Sequence, residues 1–341
     1  MSARVEVLVE GADRRAALHK ATLRSLNDTP KQIPAIWLYD ERGSLLFDEI
    51  TRLPEYYLTR TEREILEDRA PEIASETRAE TLVELGSGTS EKTRLLLDAL
   101  VGQGTLTRFV PLDASEEVLV ASAHAIAEEY PALEVHAVVG DFERHLSWLP
   151  AGGRRLFAFL GSTIGGLQVE ARGRFLRAVA DSLGSDDALL LGLDLVKDPA
   201  RIETAYGDSA GLSERFQQNG LAHLDRELGS SFSLGRFDHS AVWDPEHEWV
   251  DIGFRSLAAQ VVRVPELDIE VAFAAGELLR TGVSSKFRRE RFQAELTAAR
   301  LDLLGWWTDA NGDFALALAG RIPARAGPFE PSCATQFVAL R

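Results

Sequence analysis

The sequence has little cysteine, no long hydrophobic run and no dense basic block. Cys333 is the only cysteine in 341 residues, which excludes a disulfide framework and a cysteine-type zinc site. The seven histidines show no paired metal-ligand spacing, so we expect no metal. No apolar run approaches the ~18 residues of a membrane span, and no signal-peptide pattern occurs near the N-terminus. We therefore expect a cytoplasmic chain with no membrane partner.

The charge balance narrows the choice of partners further. The formal net charge is -16, and an acidic surface repels nucleic acids and anionic lipids. Apolar residues make up 45% of the chain, which is enough for one large core or two modest ones. The sequence contains no internal repeat and no low-complexity tract. These features indicate a globular enzyme for a small molecule, without nucleic acid. They do not fix the oligomeric state, for which we favour a monomer.

Residues 81–113 hold the most informative pattern. An apolar strand through Leu82 and Leu85 runs into the glycine turn at residues 86–90, and an amphipathic helix begins near Glu91. A second strand, residues 109–112, ends on Asp113. A glycine turn between strand and helix lets a ligand approach the backbone, and an acid at the next strand end can hold ribose hydroxyls. The pattern predicts the nucleoside half of a doubly wound domain, although tight turns also use glycine for steric reasons alone.

The nucleoside is expected to belong to S-adenosylmethionine. Glu91 fills the third glycine position of a dinucleotide fingerprint, where an acid would oppose a pyrophosphate. S-adenosylmethionine carries no phosphate, and its sulfonium and amino groups are positive. Asp141 and Phe142 follow the third strand and suit an adenine, which needs an acceptor and a flat apolar neighbour. An NAD-dependent oxidoreductase is the rival enzyme class, and thermal-shift screening of cofactors separates the two.

The elements alternate in a regular order along the chain. Helical patterns cover residues 12–27 and 59–73, with aromatic loop segments at 36–40 and 53–57 between them. Strands are predicted at residues 135–139, 157–160 and 189–194, helices at 199–228, and short antiparallel strands within 232–273. A helix at 287–301 and strands at 304–308 and 314–319 complete the pattern. The proline-containing tail from Arg321 is expected to be mobile or loosely docked.

Five segments follow one another along the chain: WLYD (37–40), LPEYYLTRTE (53–62), ELGSGTSEKT (84–93), FLGSTIG (159–165) and DLVKD (194–198). In this order and spacing they resemble the histidine Nα-methyltransferases of ergothioneine biosynthesis. The resemblance covers roughly residues 25–320. It implies an α/β fold, with a Rossmann-like class I methyltransferase core and a second, mixed α+β substrate-binding domain. The expected parts are an N-terminal segment 1–60 that joins the substrate domain, a core 61–198, a substrate-binding insertion 199–286, a return to the core 287–320 and a tail 321–341.

The resemblance also implies the cofactor site. It places Gly86 in the turn, Lys92 on the following helix, Asp113 at the ribose, and Asp141 with Phe142 at the adenine. Without the resemblance, Lys92 could equally be a solvated helix residue. Asp113 and Asp141 stand on firmer ground, because both follow strand ends where this topology places its ligand.

The implied amino-acid pocket keeps some family positions and loses others. Tyr56 and Tyr206 match residues that hold the substrate's backbone end, and Tyr39, Ser284 and Gly161 are also kept. Tyr206 could instead be a buried ring with a satisfied hydroxyl. Three positions depart from the family pattern: its asparagine is replaced by Gly166, its imidazole-facing acid by Gly282 and, in a less secure match, its methionine by Ile252.

These replacements point toward a larger, uncharged ring. Loss of the carboxylate removes a charge-assisted hydrogen bond of roughly 1.5–3 kcal/mol, and glycine leaves a volume that a ligand must fill. The sequence thus predicts an S-adenosylmethionine-dependent α-N-methyltransferase for tryptophan or a related aromatic L-amino acid, with L-histidine as the alternative. A non-catalytic sensor of S-adenosylmethionine or an amino acid is the other class, and turnover with aromatic amino acids separates it from an enzyme.

The chemistry requires a neutral amine aimed at the methyl group. Desolvation and the nearby sulfonium favour the deprotonated amine, and alignment supplies most of the acceleration. No strong base is needed, because the proton can leave to water. Tyr39 and Tyr56 are the catalytic candidates, as acceptors or relays of that proton, and an aromatic lid is an equally simple role for them.

Overall fold

The computed structural model describes residues 3–8, 11–150 and 152–322. Its strands are β1 Arg4–Val7, β2 Lys31–Gln32, β3 Thr81–Leu85, β4 Arg108–Asp113, β5 Glu134–Val139, β6 Arg155–Phe159, β7 Ala188–Asp194, β8 Phe237–Asp244, β9 Trp249–Ser256, β10 Gln260–Val264, β11 Ile269–Phe273, β12 Leu278–Ser285, β13 Leu301–Thr308 and β14 Phe314–Arg321. Its α-helices are α1 Gly11–Ser25, α2 Glu41–Thr51, α3 Leu58–Thr77, α4 Thr93–Gly102, α5 Glu116–Glu129, α6 Val169–Ser182, α7 Pro199–Tyr206, α8 Leu212–Leu228 and α9 Arg289–Ala298.

The large sheet has the order β1-β5-β4-β3-β6-β7-β14-β13. The first six strands in this order, β1 through β7, pair in parallel. At the other end of the sheet, β14 pairs antiparallel with β7, and β13 pairs antiparallel with β14. The strand order reverses at β3, because β4 lies on one side of it and β6 on the other. Such a reversal opens a crevice at the carboxyl ends of the strands. The predicted Rossmann-like core is confirmed, and its ligand edge is the carboxyl edge of β3, β4 and β6.

Helices cover both faces of this sheet because its strands are apolar on both sides. On one face, Leu66 of α3, Leu97 of α4 and Ile126 of α5 belong to a single buried cluster. On the other face, Leu176 of α6 and Leu296 of α9 pack into a second cluster. Burial on two sides explains why the core strands read as continuous apolar runs. Among the described residues, no helix has both the length and the apolar character needed to cross a membrane.

A second sheet, β2-β12-β9-β8, lies beside the core, accompanied by the hairpin β10-β11. Its buried side packs on α8, where Leu221 and Leu224 join Phe254 and Leu279 in a third cluster. The two sheets are joined directly, because a bridge links residue 195 after β7 to Phe287 after β12. The end of β12 is thereby held against the carboxyl edge of the core sheet.

Most predicted elements are present, with corrections near the N-terminus and at the chain end. The segment before residue 60 was predicted to contain only a helix and aromatic loops. It also contains strand β1, which pairs with β5 in the core sheet, and helix α2, for which the sequence pattern predicted no element. The final helix is shorter than predicted, because Leu301 already begins β13. Strand β14 extends to Arg321, where the tail was expected to start. The rest of that tail, with Cys333, lies outside the described residues. The predicted domain boundaries remain a prediction.

Candidate active site

The glycine turn after β3 has the backbone that the sequence pattern requires. Gly86 and Gly88 have φ values of 69° and 49°, in the left-handed region that glycine enters without strain. The Gly86 amide donates to the carbonyl of Leu112 at 2.8 Å, which ties the turn to the end of β4. Between the glycines, the Ser87 hydroxyl is buried and has no hydrogen-bond partner among the described residues. The turn therefore presents an unsatisfied polar atom at the carboxyl edge.

The buried carboxylate of Glu84 is hydrogen-bonded to residues of this turn and of the helix that follows it. Glu84 is 4% exposed and accepts hydrogen bonds from Ser90 at 2.8 Å and from Thr93. Burial raises the pKa of Glu84 to about 7, against the opposing effect of these hydroxyl donors. The two hydroxyls join the turn to the start of α4, so the carboxylate fixes where that helix begins.

Asp113 lies at the end of β4 and faces the glycine turn. Its Oδ2 accepts from the Gly88 amide at 2.9 Å and its Oδ1 from the Ser115 amide at 2.8 Å. The carboxylate is thus anchored by backbone, at the position expected of a ribose acceptor. Asp141 follows β5 and accepts from the Glu143 amide at 2.8 Å, while the Phe142 ring packs 4.9 Å from that of Phe159.

The turn after β6 is held by a buried acid that the sequence reading did not assign. Gly161 and Ser162 have φ values of 74° and 56°, and positive φ at two adjacent positions is typical of a type I′ turn. The Gly161 amide donates to both oxygens of Glu62, at 2.8 and 2.9 Å. Lys92 pairs with the same carboxylate, which is fully buried. Lys92 is therefore an ion-pair partner near the predicted cofactor site and not a solvated helix residue.

Glu62 fits only because Gly192 lies opposite. A Cβ on Gly192 of β7 would sit 2.0 Å from the Glu62 Oε1 and 3.2 Å from the Gly161 amide nitrogen. The missing side chain leaves the space in which the carboxylate reaches the turn. Helix α3, β7 and the turn after β6 are consequently fixed relative to one another.

Three tyrosines lie together above these strand ends. The Tyr56 ring is 6.2 Å from that of Tyr206, and Tyr39 packs edge-on against Phe216 at 5.3 Å. Tyr39 is 44% exposed, yet neighbouring protein atoms desolvate its hydroxyl and, with the charge of Asp113, raise its pKa to about 12. Burial also raises the pKa of Tyr56 well above its ordinary value, and the nearby Tyr206 adds to the shift. The hydroxyls of Tyr39 and Tyr56 stay protonated at neutral pH.

Lys286, Asp194 and Lys197 form a buried charge cluster next to Tyr206. Lys286, which follows β12, contacts Asp194 at 2.7 Å and donates to Tyr206 and Ser284, each at 2.8 Å. Asp194 ends β7, is fully buried and also pairs with Lys197. Burial opposes the charge on Lys286, but Asp194 outweighs it, and the pKa of Lys286 is raised. The cluster joins the second sheet to the core at the carboxyl edge.

The remaining pocket positions form a wall with open space. Gly282 of β12 is paired with Ile252 of β9, and Ile252 packs with Ile202 and Tyr206. A Cβ on Gly282 would meet no atom within 4 Å, and one on Gly166 would lie 4.0 Å from the Val283 carbonyl oxygen. Neither glycine is required by the packing of the described residues, so both leave volume for a ligand.

The structure brings the predicted residues to two neighbouring places. The proposed cofactor residues Gly86, Asp113, Asp141 and Phe142 lie at the ends of β3, β4 and β5, and the proposed substrate residues lie around the ends of β6, β7 and β12. The roles of these residues stay predictions. The sequence reading missed the charged groups behind them, Glu62, Asp194, Lys197 and Lys286, whose signal was a charge within or beside an otherwise apolar buried segment.

Known proteins give a consistent comparison. The model of a family described as histidine-specific methyltransferase, SAM-dependent, matches residues 18–321. The histidine N-alpha-methyltransferase of Mycobacterium tuberculosis (strain CDC 1551 / Oshkosh) is 53% identical over 89% of this chain and 95% of its own length. The protein of that name from Mycolicibacterium smegmatis is 52% identical over the same shares. The N-methyltransferase imqF of Aspergillus flavus is 28% identical over 88% of this chain and 84% of its own.

The family match spans almost all of the described chain, and the two mycobacterial relatives are aligned over nearly their full length. The resemblance drawn from the five sequence segments is confirmed by both. This chain belongs to the family of histidine-specific, S-adenosylmethionine-dependent methyltransferases and is an S-adenosylmethionine-dependent N-methyltransferase.

Proposed function

We propose that this enzyme transfers methyl groups from S-adenosylmethionine to the α-amine of free L-histidine. The two mycobacterial relatives described above, both more than 50% identical to this chain, are named for that activity. The observation in the chain that carries the proposal is the grouping of Tyr39, Tyr56 and Tyr206 beside the strand ends that bear the glycine turn and Asp113. This grouping supports an amino-acid acceptor beside the methyl donor, and the two mycobacterial relatives favour histidine over tryptophan as the first choice.

The described residues fit the methyl donor. The buried Ser87 hydroxyl lacks a partner in the described part of the chain, and a Cβ on Gly88 would meet nothing within 4 Å, so the turn can receive a ligand. Gly86, Asp113, Asp141 and Phe142 are the residues that would hold the nucleoside. When bound, S-adenosylmethionine supplies a methyl group on a positively charged sulfur, which an amine can attack in line.

The tyrosine hydroxyls serve best as hydrogen-bonding groups. Because the pKa values of Tyr39 and Tyr56 are raised, neither phenol ionises near neutral pH to act as a phenolate base. Each can orient the amine through its neutral hydroxyl while the amine's proton leaves to water. Acceleration then comes from alignment and from the desolvation that favours the neutral amine.

Tryptophan is the second candidate, favoured by the open space at Gly282 and Gly166. With no atom within 4 Å of a Cβ on Gly282, the wall opposite Ile252 leaves room for a ring larger than imidazole. The name of the Aspergillus flavus relative, N-methyltransferase, specifies no acceptor. The pocket space supports this candidate, and the mycobacterial relatives support histidine.

A turnover panel decides between the two substrates. The purified chain is supplied with S-adenosylmethionine and, in turn, with histidine, tryptophan, phenylalanine and tyrosine, and each methylated product is identified by mass. We expect the highest kcat/KM with histidine. A preference for tryptophan would move the assignment to the second candidate. A lack of turnover with all four amino acids, while S-adenosylmethionine still binds by calorimetry, would reject a free aromatic amino acid as the acceptor.

A further inference from the structure

Tyr39 lies between the residues predicted for the cofactor and those predicted for the amino acid. Burial raises the pKa of its hydroxyl to about 12, and Asp113 and Tyr206 both add to the shift. One residue of each predicted site is therefore within electrostatic reach of this hydroxyl. The Tyr39 ring packs on Phe47 of α2 at 5.9 Å and on Phe216 of α8 at 5.3 Å. The position of the hydroxyl consequently depends on how α2 and α8 are held together.

The next residue along the chain, Asp40, joins these two helices. Its Oδ1 accepts from the Gly43 amide in the first turn of α2 at 2.8 Å, and from the Asn219 side chain of α8 at 2.6 Å. Its Oδ2 accepts from Arg226 of α8 at 2.5 Å. Burial opposes the charge on Asp40, but these hydrogen bonds and the charges of His223 and Arg226 outweigh it, and the pKa of Asp40 is lowered. A charged carboxylate therefore links α2 to α8 directly beside the tyrosine.

The residues before this tyrosine are packed against α8 as well. A Cβ on Gly43 would lie 1.8 Å from the Leu38 carbonyl oxygen, and one on Gly220 of α8 would lie 2.4 Å from the Leu38 Cδ2. The ring of His223 stands edge-on to that of Trp37 at 4.9 Å, and its Nδ1 is 3.1 Å from the Trp37 carbonyl oxygen. The chain thus contacts α8 on both sides of the tyrosine, by close packing before it and by the charged link after it.

Capping of α2 does not by itself explain this arrangement. A cap needs one side-chain oxygen that accepts from an amide of the first turn, and the Gly43 amide provides that bond. The bonds to Asn219 and Arg226 reach residues that are 179 and 186 positions further along the chain. They hold the segment against the helix that carries Phe216. Because asparagine caps a helix about as well as aspartate does, a substitution can separate the two roles.

We infer that Asp40 is a positioning residue for methyl transfer. By joining the segment around Tyr39 to α8, it fixes the Tyr39 hydroxyl where the methyl donor and the amine meet. This inference rests on the proposed function, in which that hydroxyl orients the α-amine. Asp113 is anchored by the Gly88 and Ser115 amides and not by Asp40, so cofactor binding does not depend on the link.

The first test measures kcat, the KM of the best acceptor and the affinity for S-adenosylmethionine in wild type, Asp40→Ala and Asp40→Asn. Asp40→Ala should lower kcat about 100-fold, the effect of misplacing an orienting group by about 1 Å. Asp40→Asn keeps the cap but loses the charge, and it should lower kcat about 10-fold. The acceptor KM should change less, because the other contacts of the acceptor remain. The calorimetric affinity for S-adenosylmethionine should stay unchanged.

Variants of two arginine pairs test whether the link to α8 is what matters. Arg226→Lys keeps the cation on α8 and should keep most of kcat, whereas Arg226→Met should lower kcat as Asp40→Asn does. Asp48→Asn removes an ion pair with Arg52 within α2 and should leave kcat unchanged. Full kcat in Arg226→Met, or an equal loss in Asp48→Asn and Asp40→Asn, would overturn the inference.

A double-mutant cycle with Tyr39→Phe tests whether Asp40 acts through the tyrosine. If it does, the double variant should be no slower than Tyr39→Phe alone, because the contribution of Asp40 is already lost with the hydroxyl. Losses that add independently would contradict the inference. Full kcat in Tyr39→Phe would also contradict it, since the hydroxyl would then have no role for Asp40 to support.

A spectrum separates failure of the inference from failure of the proposed function. The chain has five tyrosines, so NMR of tyrosine-labelled protein follows Tyr39 without turnover. Asp40→Asn should shift or broaden the Tyr39 signal, assigned with Tyr39→Phe, and leave unchanged that of Tyr130, which donates to Asp98. If wild type methylates no amino acid, the proposed function fails. A Tyr39 signal that does not move in Asp40→Asn rejects the inference whatever the turnover. If Asp40→Ala does not fold, Asp40→Asn and Arg226→Met must each lower kcat, or the inference fails.

Discussion

Glu62 occupies its position only because Gly192 has no side chain. Because a Cβ there would overlap the carboxylate at 2.0 Å, Gly192→Ala should displace Glu62 and separate it from the Gly161 amide. We expect the free energy of unfolding to fall by about 3 kcal/mol, the scale of overpacking combined with a disturbed buried ion pair. Urea denaturation followed by circular dichroism measures it. In Gly102→Ala, where nothing lies within 4 Å, stability should not fall, and an equal loss there would refute the explanation.

Asp113 is expected to hold the ribose of the methyl donor. Asp113→Ala removes a charged acceptor, and the affinity for S-adenosylmethionine should fall by roughly 1.5–3 kcal/mol in titration calorimetry. The same carboxylate also accepts from the Gly88 and Ser115 amides, so Asp113→Asn is the matched control that keeps an acceptor for the turn. Unchanged affinity in a folded Asp113→Ala variant would remove this residue from the cofactor site.

Gly282 is the residue at which ring preference should be adjustable. Gly282→Glu places a carboxylate where the chain now has open space. It should shift the ratio of kcat/KM toward histidine by about 10-fold or more and depress turnover of tryptophan, because the acid fills volume and lacks a partner beside indole. Ile252→Met should add to the shift only if Ile252 lines the same wall. A ratio that does not move would show that the ring binds elsewhere.

At the scale of elements, the β3–α4 connection carries a pH dependence. The pKa of Glu84 is about 7 in the fold, above its unfolded value, so the folded state binds the proton more tightly. The contribution of Glu84 to the free energy of unfolding is therefore fully present at low pH and is lost as the pH rises from about 4.5 to 7. Glu84→Gln should therefore match wild type near pH 4 and exceed it above pH 7, by up to about 3 kcal/mol. Urea unfolding across this range measures the difference, and a constant gap between the proteins would contradict it.

The elements that sequence patterns predicted well are the long apolar ones. Strands β3, β4, β5 and β7 and helix α3 carry their own periodicity or continuous hydrophobicity, so local signals suffice. The short edge strand β1 has only four residues and gains its conformation from pairing with β5. Helix α2 begins at an Asp40 cap that accepts from the Gly43 amide at 2.8 Å, a signal that was present but was obscured by the aromatic residues around it.

The same distinction applies to the candidate site. Gly86, Asp113 and Asp141 could be predicted because each follows a strand that is visible in the sequence. Glu62 and Lys286 could not, because their roles depend on partners brought from distant parts of the chain. The role of a buried charged residue can be recognised only when the fold shows which residue is its counter-charge.

At the scale of the whole molecule, the two sheets should unfold together. Residue 195 and Phe287 form a bridge between them, and the Phe287 amide donates to the Asp194 carbonyl at 2.8 Å. Lys286 adds a buried ion pair to the same connection. We expect amides of β9 and β12 to lose hydrogen-exchange protection at the same denaturant concentration as those of β6 and β7. Earlier loss in the second sheet would show that it is an independently unfolding unit.

The edge strand β1 also determines how the enzyme can be handled. Because β1 runs parallel to β5, Arg4 lies at the amino edge of the sheet, whereas the candidate site lies at the carboxyl edge. A core strand of about six residues is roughly 20 Å long, so the two edges are separated by that thickness of protein. A tether that continues from β1 starts on the side away from the site. Immobilisation on a sensor surface through the N-terminal end should therefore leave the crevice open to cofactor and substrate.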